Sequence, residues 1–169
     1  HRVRVEARAG ADDDHLAAQP GAHDLVGLVH GVDAGARGLL HLDGGKVLAR
    51  NRGLDAYVAE LPSGAPVVCA TSGMGAPSMS IVVNELVQCG IDTIIRIGTS
   101  GSIQDHVKVG SVVVASGALT NQGAADDIAP PQYPASADPF VTVALARAAA
   151  GLGIDHHVGI AASTDTFFE

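Results

Sequence analysis

Pro66 to Gly101 reads PVVCATSGMGAPSMSIVVNELVQCGIDTIIRIGTSG, and its organisation decides the fold. Pro66 to Thr71 is a short β-rich run, and Thr93 to Ile97 is a second one. Between them Pro77 and Ser78 open a helix whose apolar residues Ile81, Val82, Leu86 and Val87 recur at helical spacing. Cys89-Gly90 supplies the stop signal. A strand, a helix and a strand of these lengths form a βαβ unit, which favours parallel pairing of the two strands. The chain is therefore read as α/β.

Both strands of this unit break into small-residue turns. Gly73-Met74-Gly75-Ala76-Pro77-Ser78 joins the first strand to the helix, where glycines let the backbone approach a ligand and the helix start supplies N–H donors and partial positive charge. A tight strand-to-helix turn accounts for those glycines equally well. The second strand carries a lone cation, Arg96, ahead of Gly98-Thr99-Ser100-Gly101. Read as buried in its β-branched run, that guanidinium needs an anionic partner, because an unpaired buried charge is far too costly. Either an acid elsewhere in the core or a bound oxyanion would serve.

The rest of the chain extends the pattern. Tyr57 to Leu61 reads as a strand and Pro62-Ser63-Gly64 as a hairpin turn. Ser111 to Ala115 is a third β-rich run, Pro139 to Ala150 an alanine-rich helix stopped by Gly151 and Gly153, and His157 to Ala162 a last strand. Asn121 to Asp138, with Pro130, Pro131 and Pro134, is expected to be a long irregular segment of the kind that covers a site or a subunit contact. Residues 1 to 50 show poor periodicity and are expected to hold turns and short elements.

Composition narrows the function. The chain has 169 residues, 47% of them apolar and only 3% aromatic, so its core is built from Ala, Val, Ile and Leu, and the length is that of one domain with one core. Ten basic against eighteen acidic residues give a formal charge of −8, which argues against a nucleic-acid surface. No apolar run approaches the ~20 residues that span a bilayer, and His1-Arg2-Val3-Arg4 shows no apolar signal core. Cys69 and Cys89 form neither a disulfide framework nor a metal motif, in keeping with a reducing cytoplasm. The histidines lack metal-ligand spacing and are read as solvent-facing or structural.

Three motifs together, Ser72 to Ser78, Ile94 to Gly101 and Ala162-Ser163-Thr164-Asp165-Thr166-Phe167-Phe168, resemble the nucleoside phosphorylases, most closely the bacterial uridine phosphorylases. The resemblance runs almost continuously from Arg52 to Glu169 and is faint before it. It implies one domain over residues 1–169 with a divergent segment over 1–50: a central mixed β-sheet flanked by helices, with the family's C-terminal part missing. It also implies phosphorolysis of uridine to uracil and ribose 1-phosphate, with inorganic phosphate as co-substrate and no organic cofactor. Arg96 and Thr99 match the family's phosphate-binding and catalytic pair, Thr99 lying near the ribose with Gly101. Arg52 matches an arginine that reaches a neighbour's phosphate across a dimer contact, implying a dimer-based hexamer. Phe167 matches an aromatic that packs on base and sugar, while Asp165 has a structural role available in bonding nearby backbone N–H groups.

Departures from the family mark limits. The family's phosphate loop reads Pro-Gly-Asp-Pro-x-Arg; the nearest stretch here, Pro20 to Leu25, retains Gly21 but has Leu25 for the arginine. Gly53 replaces the glutamate of a monovalent-cation site, which argues against such a site. The Gln and Arg that bond uracil, and the Glu-Met-Glu segment that binds ribose hydroxyls, have no counterparts up to Glu169, so little activity is expected of these residues alone. Three other readings compete. A nucleosidase would not need Arg96 with Thr99. A purine phosphorylase would not match Asp127 to Asp138, which resembles the uridine-type loop. A catalytically incompetent fragment or paralogue is the third.

Overall fold

A computed structural model of the chain describes residues 26–30, 45–51 and 53–166. They fall into two compact units, the first holding β1 to β5 and the second β6 to β8.

In the first unit, β1 (Val26–His30), β2 (Lys46–Asn51), β3 (Leu54–Glu60), β4 (Pro66–Thr71) and β5 (Thr93–Ile97) form one mixed sheet in the order β2-β3-β4-β1-β5. Helix α1 (Gly75–Gln88) joins β4 to β5. β1 runs parallel to both β4 and β5, so it lies between the two strands of the βαβ unit that the sequence defines. β2, β3 and β4 form an antiparallel meander. The β3–β4 turn is closed by bonds from Leu61 N to Ala65 O at 2.9 Å and from Gly64 N to Leu61 O at 2.8 Å.

Alternation along β3 and β4 sends side chains to two faces. Val68 and Ala70 meet Val82 and Leu86 of α1 together with Ile91, and Leu54, Ala56, Val58 and Ile94 complete that layer. Tyr57, Ala59, Val67 and Cys69, with Leu61 against them, fill the opposite face. β4 is covered on both sides and therefore reads as a continuous apolar run rather than an alternating one. Each fully buried aliphatic side chain here contributes roughly 1.5–3 kcal/mol.

The helix stop predicted at Cys89-Gly90 is a Schellman closure. Gly90 has φ +89, its N–H donates to Val87 O at 3.0 Å, and Ile91 N donates to Leu86 O at 3.1 Å. The apolar side chain after the glycine, Ile91, is then packed into the helix-side core.

The second unit has a three-stranded sheet in the order β7-β6-β8, from β6 (Val112–Asn121), β7 (Ala135–Ser136) and β8 (His156–Thr164). β6 and β8 are parallel, joined through α2 (Gly123–Ile128), β7 and α3 (Pro139–Gly151). Asp138 caps α3, its Oδ1 accepting from Phe140 N at 2.8 Å and Val141 N at 2.9 Å, with Pro139 at the first helical position. The ladder shifts register between Ala115 and Gly117, leaving Ser116 as the extra residue, and its hydroxyl donates to Gly159 O at 3.2 Å.

Several expectations are refined or corrected. The short elements expected of residues 1 to 50 include β1 and most of β2, strands of five and six residues that both join the sheet, which the poor periodicity there does not indicate. β1 is five residues long, too short to show a period, and its strand identity comes from the parallel neighbours on either side. The stretch from Asn121 to Asp138 is not irregular throughout, since it holds α2 and β7. β6 and β8 run further than the apolar residues alone indicate, because their distal halves are exposed.

Candidate anion site

β1, β4 and β5 point the same way, and their ends are level. His30 pairs with Thr71 on one side and with Ile97 on the other. The two small-residue turns of the sequence, Ser72 to Met74 and the one beginning at Gly98, therefore leave the same edge of the sheet on opposite sides of β1. Two strand spacings separate β4 from β5, roughly 10 Å. Open α/β sheets bind ligands outside the carboxyl ends of their strands.

On the β4 side, the chain leaves the sheet through buried polar residues. Thr71 is 2% exposed and Ser72 4%. Thr71 Oγ1 accepts from Asp55 N at 2.7 Å and lies 3.3 Å from Gly53 O, so the strand end is tied to the start of β3. Gly73 follows with φ +67, and a Cβ there would lie 3.0 Å from Ser78 Oγ, so both backbone and space call for glycine. Ser78 Oγ donates to Met74 O at 2.8 Å, securing the first turn of α1. Met74 stands at the N-cap with no side-chain cap bond, and the first turn of the helix carries no acidic residue, a combination compatible with negative charge nearby.

On the β5 side, Arg96 pairs in register with Val29 of β1, which pairs in turn with Ala70 of β4. It thus shares the sheet face of Ala70 and α1. The sequence reading of a buried guanidinium is corrected: Arg96 is exposed. The reason is position, since it is the last-but-one residue of the strand that ends the sheet order. Its guanidinium folds over Gly98, whose Cα lies so close that a Cβ would come within 2.6 Å of Arg96 Cζ. Among the described residues no acid pairs with it, whereas Arg50 has Asp55 Oδ2 at 3.7 Å. An acid in the core, one of the two partners the sequence left open for Arg96, does not occur among these residues.

The other predicted residues are distributed differently. Thr99 and Gly101 are exposed in the irregular segment that opens the second unit. Gly21, Leu25, Arg52 and Phe167 lie outside the described residues. Asp165 takes the structural role available to it, its Oδ2 accepting from Gly123 N at 2.9 Å where α2 begins. Gly53 adopts φ +78, a conformation in which glutamate would be strained. No group of three metal-ligating side chains occurs among the described residues.

Sequence reasoning missed two features. One is the buried Thr71 hydroxyl, which looks like an ordinary strand residue until the hairpin brings Asp55 to it. The other is a polar cluster in the second unit. Ser111 Oγ donates to Asp155 Oδ2 at 2.5 Å, His157 Nε2 lies 3.8 Å from that same oxygen, and the His106 ring stands edge-on to His157 at 5.4 Å. Sequence separation of the partners hides it.

An open arginine and a glycine turn stand at the carboxyl edge of the parallel strands of an α/β fold. Residues 25–169 match the family model described as the phosphorylase superfamily, and the chain belongs to that family. It is 47% identical over 121 residues to the uridine phosphorylase of Salmonella typhimurium, covering 72% of this chain and 47% of that protein. It is 41% identical over 105 residues to the uridine phosphorylase of Thermococcus kodakarensis, covering 62% and 38%. With the guanosine phosphorylase of Halorubrum lacusprofundi the identity is 31% over 159 residues, covering 94% and 66%. The chain spans about half the length of the uridine phosphorylases it matches. No helix among the described residues is long and apolar enough to cross a membrane.

Proposed function

We propose that the protein takes part in phosphorolysis of uridine, with Arg96 holding the phosphate. The observation that carries this reading is the exposed Arg96 guanidinium, without an acidic partner among the described residues, at the carboxyl edge of the parallel strands. The higher identity to uridine phosphorylases than to the guanosine phosphorylase supports a pyrimidine nucleoside.

In this reading a phosphate oxygen attacks the anomeric carbon of the ribose. The bond to the base nitrogen breaks with its electron pair, giving ribose 1-phosphate and, after protonation, uracil. The transition state is a sugar cation, so placing the phosphate dianion beneath it and supporting charge on the departing base supply the rate. Arg96 binds and orients phosphate, and Thr99 and Gly101 lie along the sugar. Phe167 packs on the nucleoside, and Gly21 lines the phosphate loop. Arg52 serves a neighbouring subunit's phosphate in a dimer-based hexamer in the cytoplasm. Neither an organic cofactor nor a resident metal takes part.

Purified protein incubated with uridine is expected to release uracil slowly and only when phosphate is present. Release without phosphate would instead mean a nucleosidase, and faster base release from guanosine a purine phosphorylase. A second reading, a catalytically incompetent fragment or paralogue, is favoured by Leu25 and Gly53 standing where the family has an arginine and a glutamate. It predicts no base release under any of these conditions.

A further inference from the structure

We propose that Gly98 is a positioning residue for Arg96: the absence of a Cβ at position 98 lets the guanidinium lie flat over the turn, and this placement presents it to an oxyanion. The inference rests on the assignment of Arg96 to phosphate and names what sets its geometry.

The observation is a set of three distances. A Cβ built on Gly98 would lie 2.6 Å from Arg96 Cζ, 2.7 Å from Nη1 and 2.7 Å from Nη2. Near-equal distances to the central carbon and both terminal nitrogens put that Cβ over the face of the planar group, so the guanidinium stacks on the glycine backbone. Contacts under 3.0 Å do not occur for real side chains, so any residue with a Cβ evicts the guanidinium.

A left-handed backbone does not account for this glycine. The φ of Gly98 lies outside the region that makes glycine necessary at Gly73, and Gly101, the other glycine of the turn, has open space around its Cβ position. The nearest atoms that a Cβ would strike all belong to the far end of a flexible, exposed side chain. The conflict is therefore cheap for the fold, because Arg96 swings away into solvent, and expensive for anything that needs the guanidinium in place. Stacked on the backbone, it loses rotamer freedom before a ligand arrives, which lowers the ordering cost of binding. An arginine presents a rigid planar fork, so its orientation decides whether two donors reach one oxyanion together.

The test compares wild type, Gly98→Ala and Arg96→Lys in the 15N-labelled chain, using the arginine Nε–Hε resonances, thermal unfolding and titration with inorganic phosphate. Arg96→Lys assigns the Arg96 resonance. In Gly98→Ala that resonance is expected to move, while the melting temperature stays level or rises by about 1–4 °C, as for a glycine replaced where backbone conformation allows. Phosphate affinity is expected to fall about tenfold or more, the worth of one misplaced charge-assisted hydrogen bond. An unmoved Arg96 resonance, loss of fold, or wild-type phosphate affinity in Gly98→Ala would each overturn the proposal. A wild type that does not respond to phosphate would refute the anion assignment instead, and the resonance comparison would still decide whether Gly98 sets the guanidinium.

Discussion

Asp55 donates its backbone N–H to the buried hydroxyl of Thr71 at 2.7 Å, joining the second residue of β3 to the last residue of β4 where the chain leaves the sheet for the glycine turn. Thr71→Val keeps the shape and leaves that N–H without its acceptor. Urea unfolding is expected to show a loss of about 1–3 kcal/mol, whereas Thr71→Ser, which keeps the hydroxyl, retains most of the wild-type stability. A Thr71→Val variant as stable as wild type would show that this bond does not hold the strand end.

Leu86 is buried between α1 and the sheet, whereas Ile81 on the same helix is 55% exposed. Leu86→Ala is expected to cost about 2–5 kcal/mol and Ile81→Ala to fall within about 0.5 kcal/mol of wild type. Equal losses at both positions would contradict the helix orientation.

The cap on α3 is a single side chain. Removing the Asp138 carboxylate leaves the Phe140 and Val141 N–H groups without their partner, so Asp138→Ala is expected to cost about 0.5–2 kcal/mol, and Asp138→Asn to recover most of it. Denaturant midpoints of the two variants provide the comparison.

Burial pushes the Cys69 thiol above its ordinary pKa, so it stays protonated to higher pH, while Cys89 is half-buried at a helix end. The thiolate is the reactive form. Alkylation of the folded protein near neutral pH, followed by peptide mass mapping, is expected to label Cys89 well before Cys69. The opposite order would contradict the packing of β4.

The residues differ in how much of this could be seen in the sequence. β4, α1 and β5 were legible because a doubly covered strand is uniformly apolar, a one-faced helix repeats every three to four residues, and glycine ends it. β1 was not, because five residues carry no period and only pairing with β4 and β5 makes them a strand. The six-residue α2 escaped for the same reason. At the site, Arg96 was visible as a cation out of place among β-branched residues. Its exposure was not, because strand order decides which strand ends the sheet. Gly98 looked like any turn glycine, since nothing in sequence separates a glycine needed for its φ from one needed for its neighbour's side chain.

The central claim is that the Arg96 guanidinium binds phosphate, and calorimetric titration of inorganic phosphate into wild type and Arg96→Gln tests it most directly. Saturable binding by wild type, weakened about tenfold or more in a variant that keeps its melting temperature, is the predicted result. Absence of saturable binding by wild type, or the same affinity in both proteins, would contradict it.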